Sequence, residues 1–241
     1  EIRPRDWSSD VCSSDLYNSI VRKFFNHKPL VLPELMAVTE EGVGRIYLTP
    51  SGEKYPSVTT VLGLLSKDSI AEWRKRVGDE EANRISKKAT TLGTAIHKIV
   101  EDYLNNKEDY IEKYGPFEKM VFSSFQECLN KIDNILCQES TLYSDVLKVA
   151  GRVDCIAEYD GQLSIIDFKT ANKAKEEEHI LGYFMQLTMY SLMLEEMTGI
   201  CIPNIVILMV TTSAEVLVFK KKRTDYYKQV KDLINEYRRT V

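Results

Sequence analysis

Asp154, Asp167 and Lys169 are spaced so that a single turn could gather two carboxylates and an amine. They lie in Gly151-Arg152-Val153-Asp154-Cys155-Ile156-Ala157-Glu158-Tyr159-Asp160-Gly161-Gln162-Leu163-Ser164-Ile165-Ile166-Asp167-Phe168-Lys169. Two runs of apolar and β-branched residues flank Asp160-Gly161, a strong short-range signal for a hairpin. With Asp160 and Gly161 at the centre of a type I′ turn, Tyr159 faces Gln162. Asp154 then falls opposite Asp167, and Arg152 opposite Lys169. Opposed residues share a face, and so do Asp167 and Lys169. Like charges set opposite one another destabilise a sheet, and a divalent cation held by carboxylate oxygens relieves them. Lys169 beside such a cation could hold or deprotonate a water and neutralise charge developing on a phosphate. The outline is that of a metal-dependent hydrolase. For the hairpin alone the alternative is a surface element whose charges pair at its rim. Ser164-Ile165-Ile166 reads as buried strand and argues against full exposure of Asp167.

The elements that would position these groups can be read in chain order. Residues 1–16 contain the near echo Ser8-Ser9-Asp10-Val11-Cys12 and Ser13-Ser14-Asp15-Leu16, without helical or strand periodicity. They resemble a translated adapter remnant and are expected to be disordered. Residues 17–241 show no dividing linker and are read as one domain. A short amphipathic segment is expected over residues 17–27, then an extended piece at Leu30-Val31-Leu32. Residues 43–55 read as a hairpin turning at Pro50-Ser51-Gly52-Glu53. Ser57 is a helix N-cap for residues up to 65, and a second helix covers residues 68–77, stopped by Gly78. A long helix over residues 80–105 carries the apolar stripe Leu92, Ile96, Ile99 and Tyr103. On its adjacent stripe, Gly93, His97 and Glu101 follow at i, i+4 spacing. A helix over residues 117–136 and a strand over 141–149 should lead into the hairpin. Beyond it come a charged loop at residues 173–178, a helix bearing Gln186 and Tyr190 that stops at Gly199, a doubly covered strand over residues 205–210, a partner strand over 216–219, and a last amphipathic helix over 225–239.

Composition bounds the classes. The net charge of −4 over 241 residues carries no global basic field. Arg74-Lys75-Arg76, Lys87-Lys88, Lys220-Lys221-Lys222-Arg223 and Arg238-Arg239 are local cationic runs. Cys12, Cys128, Cys137, Cys155 and Cys201 show no CxxC pair, so no iron–sulfur cluster is expected. An odd cysteine count and no leader-like N-terminus suit a reducing compartment, and a cytoplasmic location is expected. No apolar run approaches the roughly 20 residues that span a bilayer.

The order helix, strand, Asp-bearing strand, Asp-x-Lys strand, helix, strand resembles the PD-(D/E)xK nuclease superfamily, with Asp154 and Asp167-Phe168-Lys169 in the signature positions. Gly151-Arg152-Val153-Asp154 is similar to the Gly-x-x-Asp form of its RecB-like branch. Gly93-Thr94-Ala95-Ile96-His97 with Glu101 is similar to that branch's helix-borne histidine motif, and Gln186-Leu187-Thr188-Met189-Tyr190 to its Gln-x-x-x-Tyr motif. Within the branch the chain resembles the mitochondrial genome maintenance exonucleases and their viral and bacterial relatives. Pro56-Ser57-Val58-Thr59, Val61-Leu62, the Trp73 helix, and Asp154-Cys155-Ile156-Ala157-Glu158-Tyr159 running into Asp167-Phe168-Lys169-Thr170 carry that likeness from about Pro56 onward.

The resemblance implies an α/β fold: a restriction-endonuclease-like core with a central mixed sheet flanked by helices (αβββαβ), here preceded by a helical and hairpin extension. It implies a metal-dependent DNA nuclease, an exonuclease acting on single-stranded ends in replication, repair or recombination, with proteins of those processes as candidate partners. The alternatives are a structure-selective endonuclease and a non-catalytic nucleic-acid-binding protein on the same fold. Asp154, Asp167 and Lys169 would be catalytic. Asp154, Asp167, His97 and the Phe168 carbonyl would hold Mg²⁺ or Mn²⁺, with Glu101 orienting His97. Glu139 is an outer candidate, and Gln186 and Tyr190 would brace the site. Ser57, Trp73, Arg74 and Arg152 are candidate nucleic-acid contacts; Trp73 beside its cations has the composition of a stacking platform. A monomer is expected, in the host cytoplasm if the source is viral.

Overall fold

Ile205 through Val210 are all buried, and they build the inner strand around which the helices pack. The computed structural model describes residues 23–240. The readings made for residues 1–16, and most of that for 17–27, lie outside the described residues.

The fold is α/β, with a central mixed five-stranded sheet and a small N-terminal antiparallel sheet. The small sheet is β1 (Met36–Glu40), β2 (Gly44–Leu48) and β3 (Lys54–Pro56). Helices α1 (Val58–Leu62), α2 (Lys67–Val77), α3 (Asp79–Leu104) and α4 (Pro116–Leu129) follow. The main sheet then begins with β4 (Ile132–Ser144), β5 (Val149–Tyr159) and β6 (Gln162–Ala171). Helix α5 (Leu181–Thr198) crosses over to β7 (Asn204–Thr211), and β8 (Val216–Lys222) and α6 (Tyr227–Thr240) close the chain. The strand order is β4-β5-β6-β7-β8, antiparallel except for β6 with β7. A parallel pair needs a crossover, and α5 supplies it.

Alternation along the strands divides the core in two. Ile165, Ile205, Ile207 and Met209 pack with Phe184, Tyr190 and Met193 of α5 and with Val230 and Ile234 of α6. Ile166, Phe168, Val206 and Leu208 pack with Ile96 and Ile99 of α3 and with Phe122 and Phe125 of α4. The sheet is thus sandwiched between two helical layers.

Several expected boundaries move. The helix expected over residues 117–136 ends at Leu129, and β4 starts at Ile132. Leu129, Ile132 and Ile135 keep a three-residue spacing that reads equally well as helix. Pairing of Ile132 with Tyr159 decides for strand. The strand expected over residues 141–149 is the end of β4, a turn, and the first residue of β5. Leu30-Val31-Leu32 forms no strand, although the Leu30 amide donates to the Leu136 carbonyl at 2.8 Å. The hairpin at residues 43–55 gains β1 as a third strand.

Asp160 and Gly161 both take positive φ, 49° and 74°, as a type I′ turn demands. Pairing runs from Tyr159↔Gln162 to Cys155↔Ile166 and stops there. Neither the Asp154–Asp167 pair nor the Arg152–Lys169 pair forms. Beyond that point β5 stays with β4, with Arg152 opposite Thr141, while β6 stays with β7. The two strands diverge, leaving a wedge at the point the charged residues reach.

Candidate active site

In the wedge the Phe168 amide has no β5 carbonyl partner, and it donates to Asp154 Oδ2 at 2.9 Å. A buried amide must find an acceptor, so this bond fixes the Asp154 carboxylate between the parted strands. Its side chain keeps 13% exposure, enough for one edge to remain open. His97 reaches the same carboxylate from α3, with Nδ1 3.7 Å from Asp154 Oδ2. The imidazole also stands edge-on to the Phe168 ring, centroids 6.2 Å apart.

Glu139 completes this group. The β4–β5 register shifts between Asp133 and Cys137, and Glu139 itself takes φ 47°, a left-handed conformation uncommon for a glutamate. One ligand atom from each of His97, Glu139 and Asp154 lies within 4.8 Å of the others. Burial, reinforced by the Asp154 charge and opposed by His97, pushes the Glu139 carboxyl up to about 7. A cation at this point would remove the repulsion that raises it.

Asp167 is used differently. It is 1% exposed, and its Oδ2 lies 2.5 Å from Lys169 Nζ. Both carboxylate oxygens are nevertheless buried without a well-formed hydrogen bond. Burial pushes this carboxyl above the usual range; Lys169 pulls it down and Asp154 pushes it further up. Burial alone would lower the Lys169 ammonium, but the Asp167 and Asp154 charges outweigh it and hold it above the ordinary lysine range. Lys169 is therefore an ammonium here, a donor with no lone pair for a proton.

Helix α5 braces that ammonium. Lys169 Nζ donates to Gln186 Oε1 at 3.4 Å, and Gln186 Nε2 donates to the Tyr190 hydroxyl at 3.2 Å. Tyr190 fills the space over Gly151, where a Cβ would come within 2.7 Å of its ring. The Gly-x-x-Asp spacing thus makes room for the tyrosine of Gln-x-x-x-Tyr. Tyr183 lies one turn before Gln186, with Lys169 Nζ 4.8 Å from its ring centre. Neither Tyr183 nor Lys175, whose Nζ donates to the Tyr183 hydroxyl at 3.1 Å, was among the residues singled out from sequence. Their only signal was i, i+3 spacing and membership of a charged run.

Other expected site residues sit elsewhere. Asp167 lies outside the three that converge within 4.8 Å, its Oδ2 set instead against Lys169 Nζ at 2.5 Å. Glu101 accepts from Lys98 Nζ at 2.9 Å instead of orienting His97. Ser57 is 2% exposed, and its hydroxyl caps α1 by accepting from the Thr60 amide at 2.9 Å; a buried cap cannot touch nucleic acid. Arg152 reaches Glu34 at 3.1 Å. Arg74 is held by Asp79 and Asn83, beside a half-buried Trp73 on a helix that buries no residue fully.

The family model of the PD-(D/E)XK nuclease superfamily matches residues 66–236. Mitochondrial genome maintenance exonuclease 1 of Mus musculus is 28% identical over 128 residues, 50% of this chain and 38% of that protein. The Homo sapiens protein of that name is 29% identical over 129 residues, with the same coverage. The chain thus matches well under half the length of these relatives. A crystal structure from Eubacterium rectale, described as that of a candidate exonuclease, aligns over 61% of this chain and 63% of its own. Its TM-score is 0.43 at 10% identity. Among the described residues, no helix is long and apolar enough to cross a membrane.

Proposed function

The chain belongs to the PD-(D/E)XK nuclease superfamily, and from that premise we propose that it is a Mg²⁺- or Mn²⁺-dependent DNA exonuclease acting on single-stranded ends. The observation that carries the reading is the wedge. There His97, Glu139 and Asp154 converge within 4.8 Å beside the buried Asp167–Lys169 pair. The oxygen-rich set with one imidazole suits a hard divalent ion. His97, Glu139 and Asp154 would hold it, and Asp167, with oxygens that lack hydrogen bonds, is available to them, as is the Phe168 carbonyl. The bound ion would polarise the phosphoryl oxygen and stabilise the leaving oxyanion.

The chain's own groups do the rest. The Lys169 ammonium orients the attacking water through its lone pairs and offsets charge on the phosphoryl oxygens. The Asp167 carboxylate at 2.5 Å favours the ammonium form, which supports this role over removal of a proton. Asp167 and Gln186 hold the ammonium in place, and the Phe168 amide holds Asp154. The exonuclease preference is supported by the name of the matched relatives; the single-strand preference is the one the family resemblance implies.

The test uses end-labelled linear single-stranded DNA and a covalently closed single-stranded circle, each with Mg²⁺ or with EDTA. Degradation of the linear DNA alone, and only with metal, is expected. Asp167→Asn and Lys169→Ala are each expected to lower the rate at least about 10²-fold with unchanged circular dichroism. Cutting of the circle would overturn the exonuclease assignment, and full activity of either variant would overturn the site.

A further inference from the structure

The strand that carries Lys169 runs on into a second cationic feature that the wedge does not use. Ala89 and Leu92 of α3, Thr170 to Lys175, and Thr212 line a cleft of about 430 Å³. No carboxylate lines it. Its floor is fixed: the Thr212 amide donates to the Ala171 carbonyl at 2.9 Å, and the Thr212 hydroxyl to the Asn172 carbonyl at 3.0 Å. Lys175 stands against Tyr183, its Nζ 5.2 Å from the ring centre, while Lys169 stands 4.8 Å from the same centre. Lys175 of the cleft and Lys169 of the wedge therefore stand against one aromatic ring.

The contrast with the other lysine-lined cleft is informative. That one, at the opposite end of β6, is lined by Lys220, Lys221 and Lys222. Each is already engaged: Lys220 with Asp160 at 2.5 Å, Lys221 with Glu177 at 2.5 Å and Lys222 with Asn204 at 2.5 Å. Lys173 and Lys175 have no acidic partner among the described residues. In a chain of net charge −4, two ammonium groups without an ion-pair partner on a pinned loop make a ready site for an anion.

Building on the nuclease reading, we propose that this cleft is a phosphate subsite, in which Lys173 and Lys175, with Thr170 and Asn172, hold the backbone phosphate adjacent to the one being cut. A polynucleotide whose scissile phosphate lies at Lys169 would pass its neighbouring phosphate over Tyr183 to Lys175. Both ammonium groups lie against the Tyr183 ring, near enough to meet consecutive phosphates. Substrates would then be bound by two consecutive linkages, and a terminal dinucleotide, lacking the second linkage, would be a poor one.

The experiment uses the full chain with Mn²⁺ and single-stranded oligonucleotides carrying one neutral methylphosphonate, placed in turn at each linkage beside the cleaved one. Wild-type protein should show a KM raised about tenfold when the neutral linkage occupies the cleft. Lys173→Met and Lys175→Met should each raise KM for the all-phosphate DNA by a similar factor. Both should then lose most of the further response to the neutral linkage. For Lys173→Met, which touches no group of the wedge, kcat should stay within about twofold. Variants that keep the wild-type KM and the wild-type response to every neutral linkage overturn the subsite while leaving the nuclease reading standing. A wild-type protein that cleaves nothing with Mn²⁺ overturns the nuclease reading itself, and the subsite with it.

Discussion

Asp154 and Asp167 are acids in one wedge with different fates, and the difference comes from their nearest donors. Asp167 faces an ammonium at 2.5 Å, whereas Asp154 faces one backbone amide at 2.9 Å and an imidazole at 3.7 Å. Glu139, set beside Asp154, receives burial and repulsion that His97 and Arg152 offset only in part. Its carboxyl is ionised in the unfolded chain above pH about 4.5, yet in the fold it keeps its proton until about 7. A raised folded value means stability that is full below pH 4.5 and lost as pH climbs through 7. With solvent screening allowed for, the loss is about 1–2 kcal/mol, a few degrees in Tm for a chain of this size. Thermal unfolding in EDTA from pH 4.5 to 8 should therefore show Tm falling across that window in wild-type protein. Glu139→Gln, which cannot ionise, should flatten the part of the fall due to this residue. Adding Mg²⁺ should raise the wild-type Tm most at the alkaline end. A Glu139→Gln profile parallel to wild type would show that Glu139 titrates normally and lies outside any cation site.

At the scale of elements, the wedge depends on how closely α5 and α3 approach the sheet, and two glycines report on this differently. At Gly151 a Cβ would meet Tyr190 Cε1 at 2.7 Å and Val58 Cγ2 at 3.3 Å, and Tyr190 is 2% exposed, with no room to retreat. Gly151→Ala should cost about 1–3 kcal/mol through overpacking. At Gly93 the nearest atom is Thr170 Oγ1 at 3.4 Å, an ordinary contact, so Gly93→Ala should gain the roughly 0.5–1 kcal/mol that alanine adds inside a helix. Urea titrations at constant m would read both, and equal midpoints for the two variants would refute the packing account. The same elements show what sequence makes legible. Asp160-Gly161 disclosed the turn because a type I′ turn needs two positive φ values that few residue pairs accept. The run at 205–210 disclosed the buried strand because both its faces are apolar. Glu139 stayed in the background because its role depends on a register shift several residues upstream, where the lone hint is Asn134, a residue type that accepts the positive φ it takes there. The divergence of β5 from β6 was hidden for a related reason: ideal pairing places Asp154 across from Asp167, and only the competing partners β4 and β7 pull the strands apart.

For the whole molecule, the question is how an acidic chain holds a polyanion. Several of its cations are spent internally. Arg84 is paired with Glu81, Lys98 with Glu101 and Asp102, the buried Arg223 with Glu195, and Arg238 donates to the Val146 and Leu147 carbonyls. Beside the wedge, Lys169 is paired with Asp167, while Lys173 and Lys175, at the same end of β6, have no acidic partner among the described residues. If these two meet the phosphates, about two counterions are released on binding. The logarithm of affinity for single-stranded DNA should then fall against the logarithm of salt concentration with a slope of about −1.4, at about −0.7 per phosphate. Fluorescence anisotropy of a labelled oligonucleotide in EDTA, over a tenfold range of KCl, measures this without turnover. Lys173→Met should make the slope shallower by about 0.7, whereas Lys220→Met, whose ammonium already belongs to Asp160, should leave it unchanged. A slope steeper than about −4 would mean that the exposed lysines of α3, Lys87 and Lys88, join a longer track. The protein would then bind substrate along its helical layer rather than at the sheet end alone.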